Sequence, residues 1–247
     1  MRSRARLHAT ACGWETLRSD PPLSVRGRPG VAHLVGSAAG PLGGDDLTLE
    51  VQLDEAAVAS VRSVAAQVVL PGPWCRRSRL RVDATVASDA VLRWVPEPTV
   101  LVTGCRHDAT ARIEVTSGGR VAWREELVLG RHGEGSGSVV STLRVVLDGR
   151  PLLHHEVCLG PEAGPGWDGP GGVGGARAVG AMVVVDPVGW VDGPPPPVVL
   201  GDTAAILPLD GPGVLVGASG SPPEVRAVLD HATRLLTTGW PRDVLGR

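Results

Sequence analysis

Leu47, Leu49, Val51 and Leu53 alternate with Thr48, Glu50, Gln52 and Asp54. A period of two is the mark of a strand with one buried face. The chain returns to it at Leu80, Val82, Ala84 and Val86, and again at Ala111, Ile113 and Val115. Val91–Val95 and Val100–Val102 flank the break Pro96–Glu97–Pro98. Strands at such short intervals restrict the chain to a β-rich architecture, and helices enter only where this rhythm stops.

Turn chemistry sets the expected connections. Ser117–Gly118–Gly119 offers a turn between the Ile113 and Val121 strands. Asp148–Gly149 is a stronger hairpin signal, because both residues tolerate positive φ, and it joins 141–147 to 151–157. The text GPEAGPGWDGPGGVGG over 160–175 reads as a loop, and GPPPP over 193–197 as an extended solvated one. Strands resume at 181–185, 198–200, 204–207 and 214–216. One helix is clear near the C-terminus. Ser221 caps it, Pro222 fits the first turn and Glu224 completes a capping box. Val225, Val228, Leu229, Ala232, Leu235 and Leu236 share one face, and Gly239 and Pro241 end it. A weaker helical pattern covers 56–66, where Val58, Val61 and Val64 also suit a strand. Local pairing through short turns predicts a mainly antiparallel, β-rich single domain over 1–247, with its one possible boundary near 160–175.

Composition excludes several function classes. The 247 residues are 43% apolar, ample for a core, and no stretch matches a transmembrane span. The opening MRSRARLHATACGW lacks the apolar segment of a secretory signal, so a cytoplasmic location is expected. A net charge of −2 gives no general attraction to phosphate backbones, and nucleic acid is not an expected partner. In the basic run Trp74–Asp83, Arg79 and Arg81 alternate with Leu80 and Val82, as on the wet face of a strand. Cys12, Cys75, Cys105 and Cys158 form no CxxC pair, so neither a disulfide framework nor a zinc ribbon is indicated. Lys, Asn, Tyr and Phe are absent, and all 24 basic residues are Arg. That removes Schiff-base and P-loop lysine chemistry.

Motifs for chemistry are sparse. Gly217–Ala218–Ser219–Gly220–Ser221 misses the last Gly of a nucleophile elbow. Gly169–Pro170–Gly171–Gly172–Val173–Gly174 matches GxGxxG in form, without the strand and helix that a phosphate needs. On a strand, His154, Glu156 and Cys158 share a face, and Cys105 and His107 pair likewise. Those types bind late transition metals, so Cys105, His107, His154 and Cys158 are a candidate stable metal set, with ordinary strand residues as the alternative. In VAWREELVLGRHGEGSG, alternation puts Arg124 and Glu126 on one face and Glu125 on the other, beside Trp123 and Leu127. A carboxylate on an apolar face requires a partner or a cavity. Glu97, held between two prolines, is a second restrained carboxylate, so a Glu97/Glu125 hydrolase pair stands beside a structural salt-bridge network.

In order along the chain, PLGGDDLTLEV, LRWVPEPTVLVTGCRH, VAWREELVLGRHGE and LDGRPLLHHEVCLGP resemble the urease accessory protein family UreD, also called UreH. The likeness runs from about residue 23 to the C-terminal helix. It implies a mainly β fold, a long ribbon or helical type of sheet with few helices. It implies a non-enzymatic chaperone for nickel insertion that binds a UreF-like accessory protein, joins a UreG-like GTPase and docks on the urease apoprotein. Nickel would pass in transit through a polar internal tunnel, with no tightly bound cofactor. Asp45, Glu97, Glu125 and Arg131 match the motifs and would shape the fold, the tunnel or the docking face. The segment SVAAQVVLPG departs from the pattern, with Gln67–Val68 where the family commonly has Thr-Lys. The opening strands resemble the family only loosely.

Overall fold

A computed structural model of the chain describes residues 1–73 and 76–241; Trp74 and Cys75, singled out above, lie outside the described residues. Strands β1 (Arg2–Thr10) and β2 (Gly13–Ser19) form a hairpin in a first sheet. Strands β3 (Leu23–Arg28) and β4 (Val31–Gly36) form one in a second sheet. The chain then coils between the two. It runs through β5 (Asp46–Leu53) in the first, β6 (Val58–Ser63) and short β7 (Gln67–Val69) in the second, and β8 (Ser78–Val86) back in the first. Strands β9 (Val91–Val95) and β10 (Thr99–Leu101), then β11 (Arg106–Val115), β12 (Arg120–Val128) and β13 (Ser138–Leu147), repeat the alternation. Strand β14 (Arg150–Leu159) folds back on β13 through the expected Asp148–Gly149 hairpin, in which both residues have positive φ. The second sheet is completed by β15 (Ala178–Val185), β16 (Val198–Val199), β17 (Ala204–Pro208) and β18 (Gly213–Gly220), before helix α1 (Pro222–Leu236).

The mainly β reading and the C-terminal helix therefore hold, but the strand directions differ from the expectation. Each full coil returns to the same sheet pointing the same way, so the centre of each sheet is parallel, and antiparallel pairs are confined to its flanks. In the first sheet Leu47 faces Leu80, Leu80 faces Ala109, and Ala109 faces Ser141. In the second, Val61 faces Trp94 and Trp94 faces Trp123. The indole rings of Trp94 and Trp123 stack, with centroids 4.4 Å apart. The Ser117–Gly118 turn exists, yet it carries the chain from one sheet to the other instead of closing a hairpin. Residues 56–66 hold the strand β6, not a helix.

Three equivalent corners make the crossings from the first sheet to the second, at β5–β6, β8–β9 and β11–β12. Ala57 N–H donates to Asp54 O, Ala90 N–H to Ala87 O and Gly119 N–H to Thr116 O. The third residue of each turn, Ala56, Asp89 or Gly118, has positive φ, as a type II turn requires.

The main core lies between the sheets and unites Leu7, Leu49, Val51, Leu53, Val61, Trp94, Ile113, Trp123 and Leu143. A second apolar layer forms where α1 lies on β15, β18 and β12, with Val225, Leu229, Ala232 and Leu236 buried. The Glu224 carboxylate accepts from the Ser221 N–H and hydroxyl at 2.8 and 2.7 Å, which fixes the helix start. Beyond the helix, the buried Trp240 donates its indole N–H to Asp186. Among the described residues no helix is long and apolar enough to cross a membrane.

Close helix-to-sheet approach depends on Gly180 of β15. A Cβ there would sit 2.6 Å from Val225 Cγ1 and 2.7 Å from Leu229 Cδ1. Gly180→Val should overpack this layer and cost about 1–3 kcal/mol, read as a lower denaturant midpoint together with weaker protection of the α1 amides in hydrogen exchange.

Candidate functional site, a cavity between the sheets

The core between the sheets is not filled. A cavity of about 360 Å³ is walled by Leu47, Leu49, Leu80, Val82 and Ala111 of the first sheet and by Leu34, Trp94, Trp123 and Leu127 of the second. At one end it is bounded by the segments 36–41, 63–68 and 96–99. Its walls are largely apolar, so each polar group on them stands out.

Glu125 is the most telling of these. It projects from β12 to the inner face, as alternation predicts, and lines the cavity. The Trp123 indole N–H donates to Oε1 at 3.1 Å, and the Ser141 hydroxyl donates to Oε2 at 3.0 Å. Among the described residues no cation pairs with it. Burial therefore pushes its pKa above the ordinary carboxylate value, and the two hydrogen bonds only partly oppose that.

His107 lines the same cavity from β11, nearly wholly buried. Its Nδ1 lies 2.9 Å from the Ser78 hydroxyl on neighbouring β8. Burial lowers its pKa to about 4, with smaller influences from Asp108, Ser78 and Arg77, so the ring is neutral near neutral pH.

Glu97 lines the end of the cavity, half-exposed, and accepts from Arg226 of α1 at 2.8 Å. Its N–H donates to the Ser63 hydroxyl. Arg226 also lies 3.7 Å from Glu126, whose carboxylate meets Arg124 at 2.6 Å. Arg124 in turn binds Asp230. The side chains of Arg124 and Glu126 are each only 4% exposed. The salt-bridge network anticipated at this strand thus exists on its outer face and fastens α1 to the sheet.

The other two candidates lie elsewhere. Asp45 is buried; it accepts from the Met1 amino group at 2.6 Å and from Leu42 N–H at 2.9 Å, and so organises the turn before β5. Arg131 is exposed and makes a two-pronged ion pair with Glu134 at 2.9 and 2.6 Å, while its carbonyl accepts from Arg177. Asp45 and Arg131 do not line the cavity.

The structure separates the proposed stable metal set. Cys105 precedes β11 and packs with Val69, Leu101, Leu129 and Val139, away from His107's cavity. Burial pushes its thiol up to about 11, which disfavours the thiolate a metal needs. His154, Glu156 and Cys158 do share a face of β14, but it is the exposed one. Among the described residues no group of three or more His, Cys, Asp or Glu is placed to hold a metal. Cys12, Cys105 and Cys158 are free. The hydrolase pair fares little better. Glu97 and Glu125 reach the same cavity, yet Glu97 is committed to a guanidinium and Glu125 to an indole and a hydroxyl. The glycine motif 169–174 lies in the loop after β14, with neither strand nor helix beside it.

Sequence reasoning found Glu125 through alternation but overlooked Ser141 and Arg226. The small polar Ser141 carries no local signal, and the partners of Arg226, Glu97 and Glu126, lie far from it in sequence. The sequence profile described as UreD urease accessory protein matches residues 6–233. A urease accessory protein UreD of Parafrankia sp. is 40% identical, with 88% of this chain and 82% of the relative covered. UreD 3 of Streptomyces griseus is also 40% identical, over 96% of this chain and 97% of its own. The Streptomyces coelicolor protein is 41% identical, over 82% and 81%.

Removing one member of the buried ionic network should be severe. Arg124→Met leaves the buried Glu126 carboxylate with only the looser Arg226 pair at 3.7 Å and should cost about 3 kcal/mol in equilibrium unfolding. A second outcome concerns pH. A raised Glu125 pKa means that its contribution to stability is complete below the unfolded value and is lost as pH rises through the folded one. Glu125→Gln stays neutral throughout, so its stability relative to wild type should grow as pH rises from the ordinary carboxylate range through the raised folded value, measured as urea midpoints.

Proposed function

The chain belongs to the UreD family of urease accessory proteins, and on that footing we propose that it is a non-enzymatic chaperone that passes nickel to the urease apoprotein. In this reading it works in the cytoplasm, joined to a UreF-like accessory protein and a UreG-like GTPase. The observation that carries the reading is the cavity between the sheets, with Glu125 inside and Glu97 at one end.

A carrier must hold its ion weakly, because a closed set of ligands would not release it. The cavity suits that demand. Apolar walls offer few stopping places, and the carboxyl groups that line it are spaced along it instead of gathered into one cage. Nickel is the cargo here and not a resident cofactor. Glu97, tied to Arg226, attracts the cation at the end of the cavity; Glu125, with no cation of its own, receives it inside. Asp45 contributes by holding the turn that leads into β5. Arg131, on the exposed loop after β12, is suited to docking.

Co-expression with a UreF-like partner should yield a soluble stoichiometric complex. Within it, Glu125→Ala or Glu97→Ala should lower the nickel content of urease while leaving the complex assembled. Urease filled normally by both variants would remove these carboxylates from the route, and failure of the two proteins to co-purify would end the scaffold reading.

A further inference from the structure

His107 has an orientation that its burial alone does not require. Ser78 is fully buried, and its hydroxyl donates to Arg106 O at 3.3 Å. A hydroxyl has a single proton; with it on Arg106 O, the oxygen acts as acceptor toward His107 Nδ1, 2.9 Å away. In that arrangement, one of the two the contact admits, Nδ1 carries the ring hydrogen and Nε2 keeps its lone pair. The ring lines the cavity, and on the same wall Ala109, two residues along β11, faces Ser141, the donor to Glu125. A neutral imidazole with its far nitrogen anchored to an oxygen is the usual state of a histidine prepared to bind a metal.

We propose that Nε2 of His107 is a resting point for a divalent cation on the first-sheet wall of the cavity, opposite Glu125, with Ser78 as the residue that positions its ring. The proposal rests on the nickel-transit reading. It adds one nitrogen donor to a path that is otherwise lined by oxygen donors. One imidazole and one carboxylate, completed by water, make an incomplete ligand set, and an ion so held is retained briefly and then released. Cys105, two residues before His107, takes no part, because it packs in a different apolar cluster.

The test uses the full chain and Ni²⁺ alone. Equilibrium dialysis gives the affinity, and NMR of ¹⁵N-labelled histidine shows which ring signals the paramagnetic ion broadens first. The His107 signals should broaden ahead of those of exposed His154. Ser78→Ala should weaken this binding by about tenfold, in line with loss of an outer hydrogen bond at a metal site, and His107→Gln should abolish the broadening. His154→Gln should change neither readout. Ser78→Ala is the milder change and decides the matter if His107→Gln does not fold. Ni²⁺ affinity and broadening unchanged in Ser78→Ala, or His107 signals untouched by Ni²⁺ in the wild type, would overturn the proposal. If those results come with urease still starved of nickel by Glu125→Ala, only His107 leaves the route. If Glu125→Ala fills urease normally, the transit reading fails whatever His107 binds.

Discussion

The two sheets share one core because the chain crosses between them at a fixed place in every coil. Here that place is the corner closed by a single hydrogen bond, with Ala56, Asp89 or Gly118 held at positive φ. Once the corner is set, the next strand must lie beside the strand one coil earlier and run in the same direction. The parallel centre of each sheet, the Trp94–Trp123 stack and the space left between the walls all follow from that repetition. Leucines and valines facing inward from both sheets supply the driving force, but the corners decide which of them meet.

The cavity is a local failure of that packing. Protein interiors normally fill such space, and a void surrenders dispersion contacts along its lining. The lining includes small residues such as Ala109 and Ala111 next to large ones. A carboxyl group and an imidazole are placed on a largely apolar wall, and each is hydrogen-bonded to a serine on the first sheet. Burial opposes charge on both groups: it raises the pKa of the carboxyl and lowers that of the imidazole.

Period two made most of the strands legible, and with them the opposite facing of Glu125 and Glu126. It cannot tell parallel from antiparallel, because both bury alternate residues. Ser117–Gly118 reads equally well as a hairpin turn and as a corner, and the rungs Leu47, Leu80, Ala109 and Ser141 recur at intervals too irregular to stand out as a repeat. The helix start was legible because its capping residues are local in sequence. The partners of Arg124 and Glu126 were not, since Asp230 and Arg226 lie about a hundred residues away and meet them only through the tertiary fold. Cys105 and His107 looked paired because they are two apart, but the cysteine precedes the strand and alternation does not reach it.

The ionic contacts between α1 and the second sheet take their cations from Arg124 and Arg226, in a chain that has no lysine. A guanidinium does not give up its proton in proteins, whereas a buried ammonium readily does. The helix is consequently clamped by charges that alkali does not discharge, so the wall bearing Glu97 and Glu126 keeps its anchorage in basic surroundings that would loosen a lysine-built joint.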